Sequence, residues 1–196
     1  VEIHEPVRIL FVVETTPQRL MSVIKANKEL VEFVCNRWIR IATMDPDDEI
    51  IVPEPFYANY NGFALAAGVN VVPITSYIES GFALPPIADV EKAITPRTKA
   101  IVICNPNNPT GYLYSREELE TLKQIILKHN LYLFSDEAYR EFCYEGKHFS
   151  AMELEGLDDH VVMMDTISKR YSCCGGRIGA LVTRNKQLID AVMKFA

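Results

Sequence analysis

Several features that direct a chain to other classes of protein are missing from this sequence. No apolar run approaches the roughly 18 residues that a membrane-spanning helix needs. Lysine and arginine number 20 against 26 acidic residues, and the net charge of −6 provides no attraction to nucleic acid or to an anionic membrane. Internal repeats, linkers and low-complexity segments are also absent. We therefore expect a globular protein that binds neither nucleic acid nor membranes.

Cysteine pairs with the spacing of a metal site or a disulfide framework are likewise missing. The five cysteines form no Cys-x-x-Cys pair and their number is odd, which predicts reduced thiols and no metal site. Residues 1–7 do not have the pattern of a secretory signal peptide, so we expect a cytoplasmic protein. Adjacent Cys173 and Cys174 are interpreted as small packing residues, with redox sensitivity as the alternative.

Apolar strands alternate with helical patterns along the chain. Strands are predicted at 8–13, 49–53, 69–75, 99–104, 131–135, 161–165 and 179–183. Helices are predicted at 18–43, 56–67, 89–94, 115–129 and 186–195. Continuous apolar strands separated by helices predict an α/β protein, a three-layer α/β/α sandwich with a mainly parallel sheet. Functional sites in such sheets lie at the carboxyl ends of the strands.

One strand end carries a lysine in a setting that suits a phosphorylated aldehyde. Lys169 follows the apolar run at 160–164, and the hydroxyls of Thr166 and Ser168 flank it. Eight residues on, Arg177 follows two glycines, and a guanidinium with nearby hydroxyls suits a phosphate. A lysine nucleophile beside a phosphate pocket suggests a Schiff base with a phosphorylated aldehyde cofactor. Taken alone, the alternative is an exposed lysine after a strand.

Two further strand ends carry unusual polar groups. The strand at 99–104 runs into Asn105-Pro-Asn-Asn-Pro-Thr-Gly111, which is either a site loop or a turn-rich connector. The next strand ends at Asp136, where an ionised carboxylate beside apolar residues needs a partner such as a cationic ring nitrogen. Tyr139 follows three residues later. The alternative for Asp136 is a cap of the following helix.

Three motifs at these strand ends resemble those of class I and II aminotransferases of the aspartate aminotransferase superfamily. They are N-P-x-N-P-T-G, S-D-E-x-Y and S-K-x-x-x-x-x-G-x-R-x-G, and they match in order and approximate spacing. The resemblance covers roughly residues 46 to 196. It implies the large domain of a fold type I, pyridoxal-phosphate-dependent transferase, with pyridoxal 5′-phosphate as cofactor. It also implies a homodimer of amino acid metabolism whose substrates are an amino acid and a 2-oxo acid.

The resemblance assigns roles to the polar residues that would handle the reacting end of the cofactor. Lys169 would form the Schiff base and then transfer the proton of the substrate. Asp136 would pair with the pyridinium nitrogen and so keep the ring an electron sink. Asn108 and Tyr139 would donate hydrogen bonds to the phenolic oxygen of the ring.

Three more residues would hold the cofactor in place if the resemblance is carried over. Thr166 and Arg177 would bind the phosphate. Tyr57, in Pro53-Glu-Pro-Phe-Tyr57, matches the aromatic side chain that stacks on the cofactor ring. Without the resemblance, Tyr57 would be interpreted as a half-buried aromatic at the start of a helix.

The sequence departs from the family pattern near its beginning and its end. Family members carry a glycine-rich turn whose backbone N–H groups cradle the phosphate, whereas residues 15–20 contain no glycine. Residues 1–45 are therefore expected to be divergent. The chain, 1–196, is expected to be one partial large domain that stops before the small domain and its substrate-binding arginine.

The sequence thus predicts an aminotransferase that acts through a Schiff base on Lys169, and three alternatives stay open. A lyase or synthase of the same fold would use the same ring-binding residues. A regulatory domain would resemble the aminotransferase-like half of some transcription factors, although no basic helix-turn-helix pattern is present. A non-catalytic fragment that binds cofactor weakly would fit the missing glycine turn.

Overall fold

A computed structural model describes residues 8–13, 43–176 and 178–193 of the chain. Its strands are β1 (Arg8–Val13), β2 (Glu49–Glu54), β3 (Asn70–Thr75), β4 (Thr98–Cys104), β5 (Tyr132–Asp136), β6 (Val161–Thr166) and β7 (Ile178–Thr183). Its helices are α1 (Asn59–Ala66), α2 (Ile87–Ala93), α3 (Arg116–His129), α4 (Ile167–Arg170) and α5 (Lys186–Val192). The strands predicted from apolar runs are confirmed, with ends that differ by one residue at most.

The predicted helices are confirmed where the structure describes them. The one beginning at residue 56 starts three residues later, and the last one ends at Val192. Helix α3 begins as its sequence indicates, because the Ser115 hydroxyl accepts a hydrogen bond from the Glu118 N–H and the Glu118 carboxylate accepts one from the Ser115 N–H. The predicted helix at 18–43 lies outside the described residues, apart from residue 43.

The strands form one seven-stranded sheet in the order β1-β7-β6-β5-β4-β2-β3. Strands β2 to β6 are mutually parallel, and β7 is antiparallel to both of its neighbours. Strand β1 therefore runs in the same direction as β2 to β6. The prediction of a mainly parallel sheet is confirmed.

Alternating side chains of each strand contact helices on opposite faces of the sheet, because successive residues of a strand point to opposite sides. In β2, Ile51 joins the core cluster that contains α2 and α3. Its neighbours Ile50 and Val52 join the cluster that contains α1 and α5. Burial on both faces explains why β2, β4 and β6 are continuously apolar, and it confirms the three-layer sandwich.

The carboxyl ends of the parallel strands bring the predicted site residues to one edge of the sheet. Cα pairing aligns Cys104 with Asp136, and Asp136 with Met164, at the ends of β4, β5 and β6. The loops that follow these ends carry the three sequence motifs. Strand β2 ends at the same edge, and the chain then continues into Pro55-Phe56-Tyr57.

The interpretation of Cys173 and Cys174 as packing residues is wrong. Both side chains are exposed, because the chain has left the sheet at the end of β6 and, after α4, forms a turn and a short 3₁₀ helix, Cys174–Gly176. The Cys174 thiol donates a hydrogen bond to the Ser168 carbonyl at 3.3 Å. Among the described cysteines, Cys104, Cys143, Cys173 and Cys174, no disulfide forms.

Candidate active site

Lys169 lies on α4, directly after the carboxyl end of β6. Thr166 caps this short helix, since its hydroxyl accepts a hydrogen bond from the Ser168 N–H at 3.1 Å. The same hydroxyl lies 3.1 Å from the Ile178 carbonyl of β7, so Thr166 also joins the two strands. The Lys169 side chain is partly buried, and its ammonium nitrogen lies 5.7 Å from the ring centroid of Tyr139. The structure thus brings Lys169 and Tyr139 together.

Asp136 ends β5 and lies on the sheet face that contacts α1. Its Oδ2 accepts a hydrogen bond from the Tyr60 hydroxyl at 2.8 Å, and its Oδ1 accepts one from the Ala138 N–H at 3.1 Å. Burial raises the pKa of this carboxyl above its ordinary value, against the lowering effect of both hydrogen bonds and of the Lys169 charge. A further cation nearby would therefore stabilise the ionised form of Asp136.

The cap interpretation of Asp136 describes only part of its contacts. The carboxylate does accept the Ala138 N–H, but residues 138–141 form a turn and no helix follows β5 directly. The second oxygen reaches across to α1 instead. A side chain with both contacts ties the end of β5 to the helix on its face of the sheet.

Tyr60 is a site residue that the sequence analysis did not identify. It is 1% exposed, and burial followed by the nearby charge of Asp136 raises the pKa of its hydroxyl well above the ordinary value. Tyr60 therefore stays a hydrogen-bond donor to Asp136 at any working pH. The sequence feature that could have identified Tyr60 is its position three residues after Tyr57, at the start of a helix. A tyrosine at such a position more often packs in the core without a functional role.

The aromatic and amide candidates lie on the neighbouring loops. Tyr57 is half-buried, its ring meets the Tyr60 ring edge-on at 5.6 Å between centroids, and its oxygen accepts a hydrogen bond from Asn59 at 2.7 Å. Asn108 is half-buried in the loop after β4. The side-chain amide of Asn107 donates to the Pro55 carbonyl at 3.3 Å, which links this loop to the segment that carries Tyr57.

Arg177, the predicted phosphate ligand, lies outside the described residues, as do residues 14–20 where the family has its glycine-rich turn. Strand β1 leads into that segment at the edge where the candidate site lies, because Val13 pairs with Ile178 and Thr166 pairs with Gly179. Within the described ranges, no cluster of side chains suits a metal ion, and no helix is long and apolar enough to cross a membrane.

The residues present fit pyridoxal 5′-phosphate. They combine an amine, a carboxylate whose charged form is helped by a cation, a phenol and an amide at one sheet edge. A pyridinium nitrogen supplies the cation, and an aldehyde reacts with the amine. This donor set, on an α/β/α sheet with one reversed strand, defines a domain of the pyridoxal-phosphate-dependent transferase fold.

Comparison with known proteins identifies the family. Residues 26–196 match the family described as aminotransferase class I and II, so the chain belongs to that family. It is 41% identical to the aspartate/prephenate aminotransferase of Thermus thermophilus over 138 residues, which are 70% of this chain and 35% of that protein. It is 36% identical to the arginine–pyruvate transaminase AruH of Pseudomonas aeruginosa over 139 residues, 71% of this chain and 35% of that protein.

A solved structure agrees with this assignment. The aspartate aminotransferase from Thermus thermophilus with maleate superimposes with a TM-score of 0.76 at 35% identity, over 82% of this chain and 41% of that chain. The present chain therefore spans less than half the length of these relatives. Members of this family generally depend on pyridoxal 5′-phosphate.

Proposed function

We propose that the protein carrying this chain is a pyridoxal-phosphate-dependent aminotransferase that moves an amino group between an amino acid and a 2-oxo acid. The observation that carries the proposal is the convergence of Lys169, Tyr139 and Asp136 at one edge of the sheet. The named relatives, which act as aminotransferases, give no support to a lyase or synthase. We interpret residues 1–196 as part of the cofactor-binding large domain of a cytoplasmic homodimer.

The cofactor, when bound, supplies a pyridinium ring that withdraws electrons from the α-carbon of the substrate. Asp136 pairs with the ring nitrogen, and Tyr60 holds that carboxylate in place through the hydrogen bond at 2.8 Å. Lys169 would hold the cofactor through its amine, and that amine, when free, would take the proton from the α-carbon of the substrate. A lysine amine acts as a base only when its pKa is lowered, which burial and a cationic cofactor achieve.

The other candidates hold and orient the cofactor. Tyr139 and Asn108 donate hydrogen bonds to the phenolic oxygen, while Tyr57 packs against the ring. Thr166 and Arg177 bind the phosphate. For Thr166 the helix-capping contact with Ser168 holds the hydroxyl in place, and its single proton, now directed at the Ile178 carbonyl, would turn to the phosphate when the cofactor binds.

The test is the absorbance spectrum of the protein with added pyridoxal phosphate, before and after borohydride. We expect a band in the near-ultraviolet to visible range, and reduction should attach the cofactor to Lys169. Lys169→Ala should abolish both the band and the labelling, whereas Lys147→Ala, which changes an exposed lysine, should leave them unchanged. Peptide mapping that finds the label on Lys147 or another lysine would contradict the assignment.

A further inference from the structure

A second carboxylate, Glu137, lies next to Asp136 on the opposite face of the sheet and is fully buried. Its Oε1 accepts three hydrogen bonds, from the hydroxyls of Ser135 at 3.1 Å and Ser150 at 2.9 Å and from the Ala151 N–H at 3.0 Å. Its Oε2 faces Nε2 of His148 at 3.5 Å. Among the residues that the structure describes, neither of these two facing atoms has a hydrogen-bond partner.

Two buried polar atoms that face each other without a hydrogen bond are costly unless a proton lies between them. The Asn105 backbone raises the pKa of the His148 ring, as a carbonyl beside a ring N–H does, and Nε2 itself has no partner. If Glu137 were ionised and His148 neutral, a carboxylate oxygen would face a ring lone pair. One proton converts this contact into a hydrogen bond after a shift of a few tenths of an ångström, since N···O bonds measure about 2.7–3.2 Å.

The electrostatic environment favours one shared proton over a full ion pair. Burial raises the pKa of Glu137 from its ordinary 4.5 to about 7, although Ala151, Ser150 and Ser135 oppose this rise. Burial, and then the Arg140 charge, lower the pKa of His148 from its ordinary 6.5. Just below pH 7 both groups therefore favour their uncharged forms, and a carboxylic acid that faces an imidazole nitrogen satisfies both.

The pair connects two strand ends that carry candidate site residues. Asn105, directly after β4, donates from its backbone N–H to the Asp136 carbonyl at 2.8 Å and from its side-chain amide to the Phe149 carbonyl at 3.3 Å. The segment 148–151 thus contacts both the loop after β4 and the end of β5. Tyr139 lies on the turn that begins at Glu137. Because Ser150 and Ala151 hold Glu137, a displacement of segment 148–151 moves this turn and the Tyr139 phenol with it.

We infer that Glu137 and His148 share one proton between Oε2 and Nε2, and that this proton fixes the turn that presents Tyr139 to the candidate active site. The shared proton is a property of the protein without cofactor. The effect on Tyr139 rests on the proposed function, and it makes Glu137 and His148 positioning residues that act through Tyr139.

The charged groups around the pair do not supply an alternative partner. Arg140, on the same turn, lowers the pKa of both groups, and Glu141 and Glu153 act on His148 in the opposite direction. Glu153 is occupied, because its Oε1 accepts a hydrogen bond from the Ser150 N–H at 3.0 Å. Arg140 and Glu141 form a partly exposed ion pair at 3.9 Å. The shared proton is therefore the group that satisfies both facing atoms.

The sign of the pH dependence follows from these directions. A raised pKa of Glu137 contributes stability that is lost as the pH rises from 4.5 through about 7. A lowered pKa of His148 removes stability as the pH falls below 6.5. Just below 6.5 the two slopes oppose each other, and from 6.5 to about 7 only the loss from Glu137 remains.

The first experiment compares melting temperatures of the native protein and Glu137→Gln, without cofactor, from pH 5 to 8.5. A glutamine mimics the protonated acid, so the native protein should lose stability relative to the variant as the pH rises to about 7. Above that pH the difference should stay constant. Glu145→Gln, which changes an exposed carboxylate on the same segment, should run parallel to the native protein. The shared proton is overturned if the native protein keeps or gains stability relative to Glu137→Gln as the pH rises from 5 to about 7.

A second readout uses the native protein, in case the variant fails to fold. With nitrogen-15 in its four histidines, the ring signal that disappears in His148→Gln belongs to His148. We expect a neutral ring with Nε2 hydrogen-bonded at pH 6, and loss of that bond above pH 7. An ordinary titration to a doubly protonated ring near pH 6.5 overturns the proposal.

The inferred effect on the position of Tyr139 is tested by the affinity for pyridoxal phosphate at pH 6.5 and pH 8. Native affinity should fall about threefold or more across this range relative to Glu137→Gln, because Tyr139 loses its fixed position. If the native protein binds no pyridoxal phosphate, the proposed function fails and the cofactor-free measurements still decide the shared proton. If both proteins bind with the same pH dependence, the positioning role is wrong.

Discussion

Asp136 and Glu137 are adjacent carboxylates at the end of one strand, yet they lie in opposite environments. Asp136 is partly exposed on the α1 face, where one tyrosine and one backbone N–H contact it. Glu137 is fully buried on the α2–α3 face, where three donors converge on a single oxygen. Burial raises the pKa of both. Successive residues of an extended chain point to opposite faces of the sheet. Asp136 therefore faces the candidate cofactor site, and Glu137 faces the protein interior.

The largest expected effect comes from Asp136→Ala. Without the carboxylate, the cofactor ring loses its charged partner, so transamination by the whole enzyme should fall by several orders of magnitude. A charge-assisted hydrogen bond contributes about 1.5–3 kcal/mol, so pyridoxal phosphate should bind about 10- to 100-fold more weakly. The melting temperature should fall less than in Glu137→Ala, because only two donors, the Tyr60 hydroxyl and the Ala138 N–H, lose their acceptor and the carboxylate that is removed was itself costly to bury.

The control for this variant is Asp89→Ala, which changes an exposed carboxylate on α2. Steady-state kinetics and a cofactor titration measure both. Near-normal activity of Asp136→Ala would mean that this residue only caps the turn after β5, and the contrast between the two carboxylates would disappear.

Glu137→Ala should show the opposite combination of effects. It leaves two hydroxyls and one backbone N–H buried without their acceptor, and each stranded donor costs about 1–3 kcal/mol. We expect the free energy of unfolding to fall by about 3 kcal/mol or more, which lowers the melting temperature by about 6–12 °C. Glu145→Ala, on an exposed position of the following loop, should change it by less than about 2 °C. A calorimetric scan that finds Glu137→Ala as stable as the control would contradict the structural role of Glu137.

Tyr60→Phe sharpens the comparison with a smaller change. The variant keeps the ring in the core and removes only the hydrogen bond to Asp136, which otherwise lowers the pKa of that carboxyl. The Asp136 pKa should therefore rise further, and cofactor binding, which needs the ionised carboxylate, should require a higher pH. We expect about a threefold to tenfold loss of affinity near pH 6.5 and a smaller loss at pH 8. Tyr144→Phe, at a 92% exposed tyrosine, is the matched control. Equal losses at both pH values would show that the hydroxyl acts by other means.

The fold was predictable because its signals are local. Apolar runs indicated every strand, and the Ser115–Glu118 pair indicated the start of α3. The reversed direction of β7 was not predicted, since an apolar run carries no information about direction and the connection from β6 forms no long crossover helix. The exposure of Cys173 and Cys174 was not predicted for a similar reason, because it depends on where the chain leaves the sheet.

The candidate site was predictable only where a polar residue interrupts an apolar pattern or belongs to a family motif. Asp136 and Lys169 follow apolar runs directly, so their positions were conspicuous. Tyr60 was not, because a tyrosine at a helix start fits the core equally well. The contact between Glu137 and His148 spans a loop without periodicity, and only the three-dimensional path of residues 138–147 brings the two together.

The smallest expected effect is that of Ser135→Ala. The Ser135 hydroxyl is one of three donors to Glu137 Oε1, and its removal leaves that oxygen with the Ser150 hydroxyl and the Ala151 N–H. We expect a loss of about 0.5–1.5 kcal/mol, the net value of one hydrogen bond, and about 1–6 °C in melting temperature. Ser150→Ala should lower the stability more, because that hydroxyl also accepts a hydrogen bond from the Met152 N–H at 3.2 Å.

Affinity for pyridoxal phosphate should stay within about twofold in Ser135→Ala, since this hydroxyl lies on the face opposite Asp136. Thermal scans and cofactor titrations of the two serine variants check this order, and a Ser135→Ala loss as large as that of Glu137→Ala would mean that the strand end, and not the carboxylate, stabilises this face.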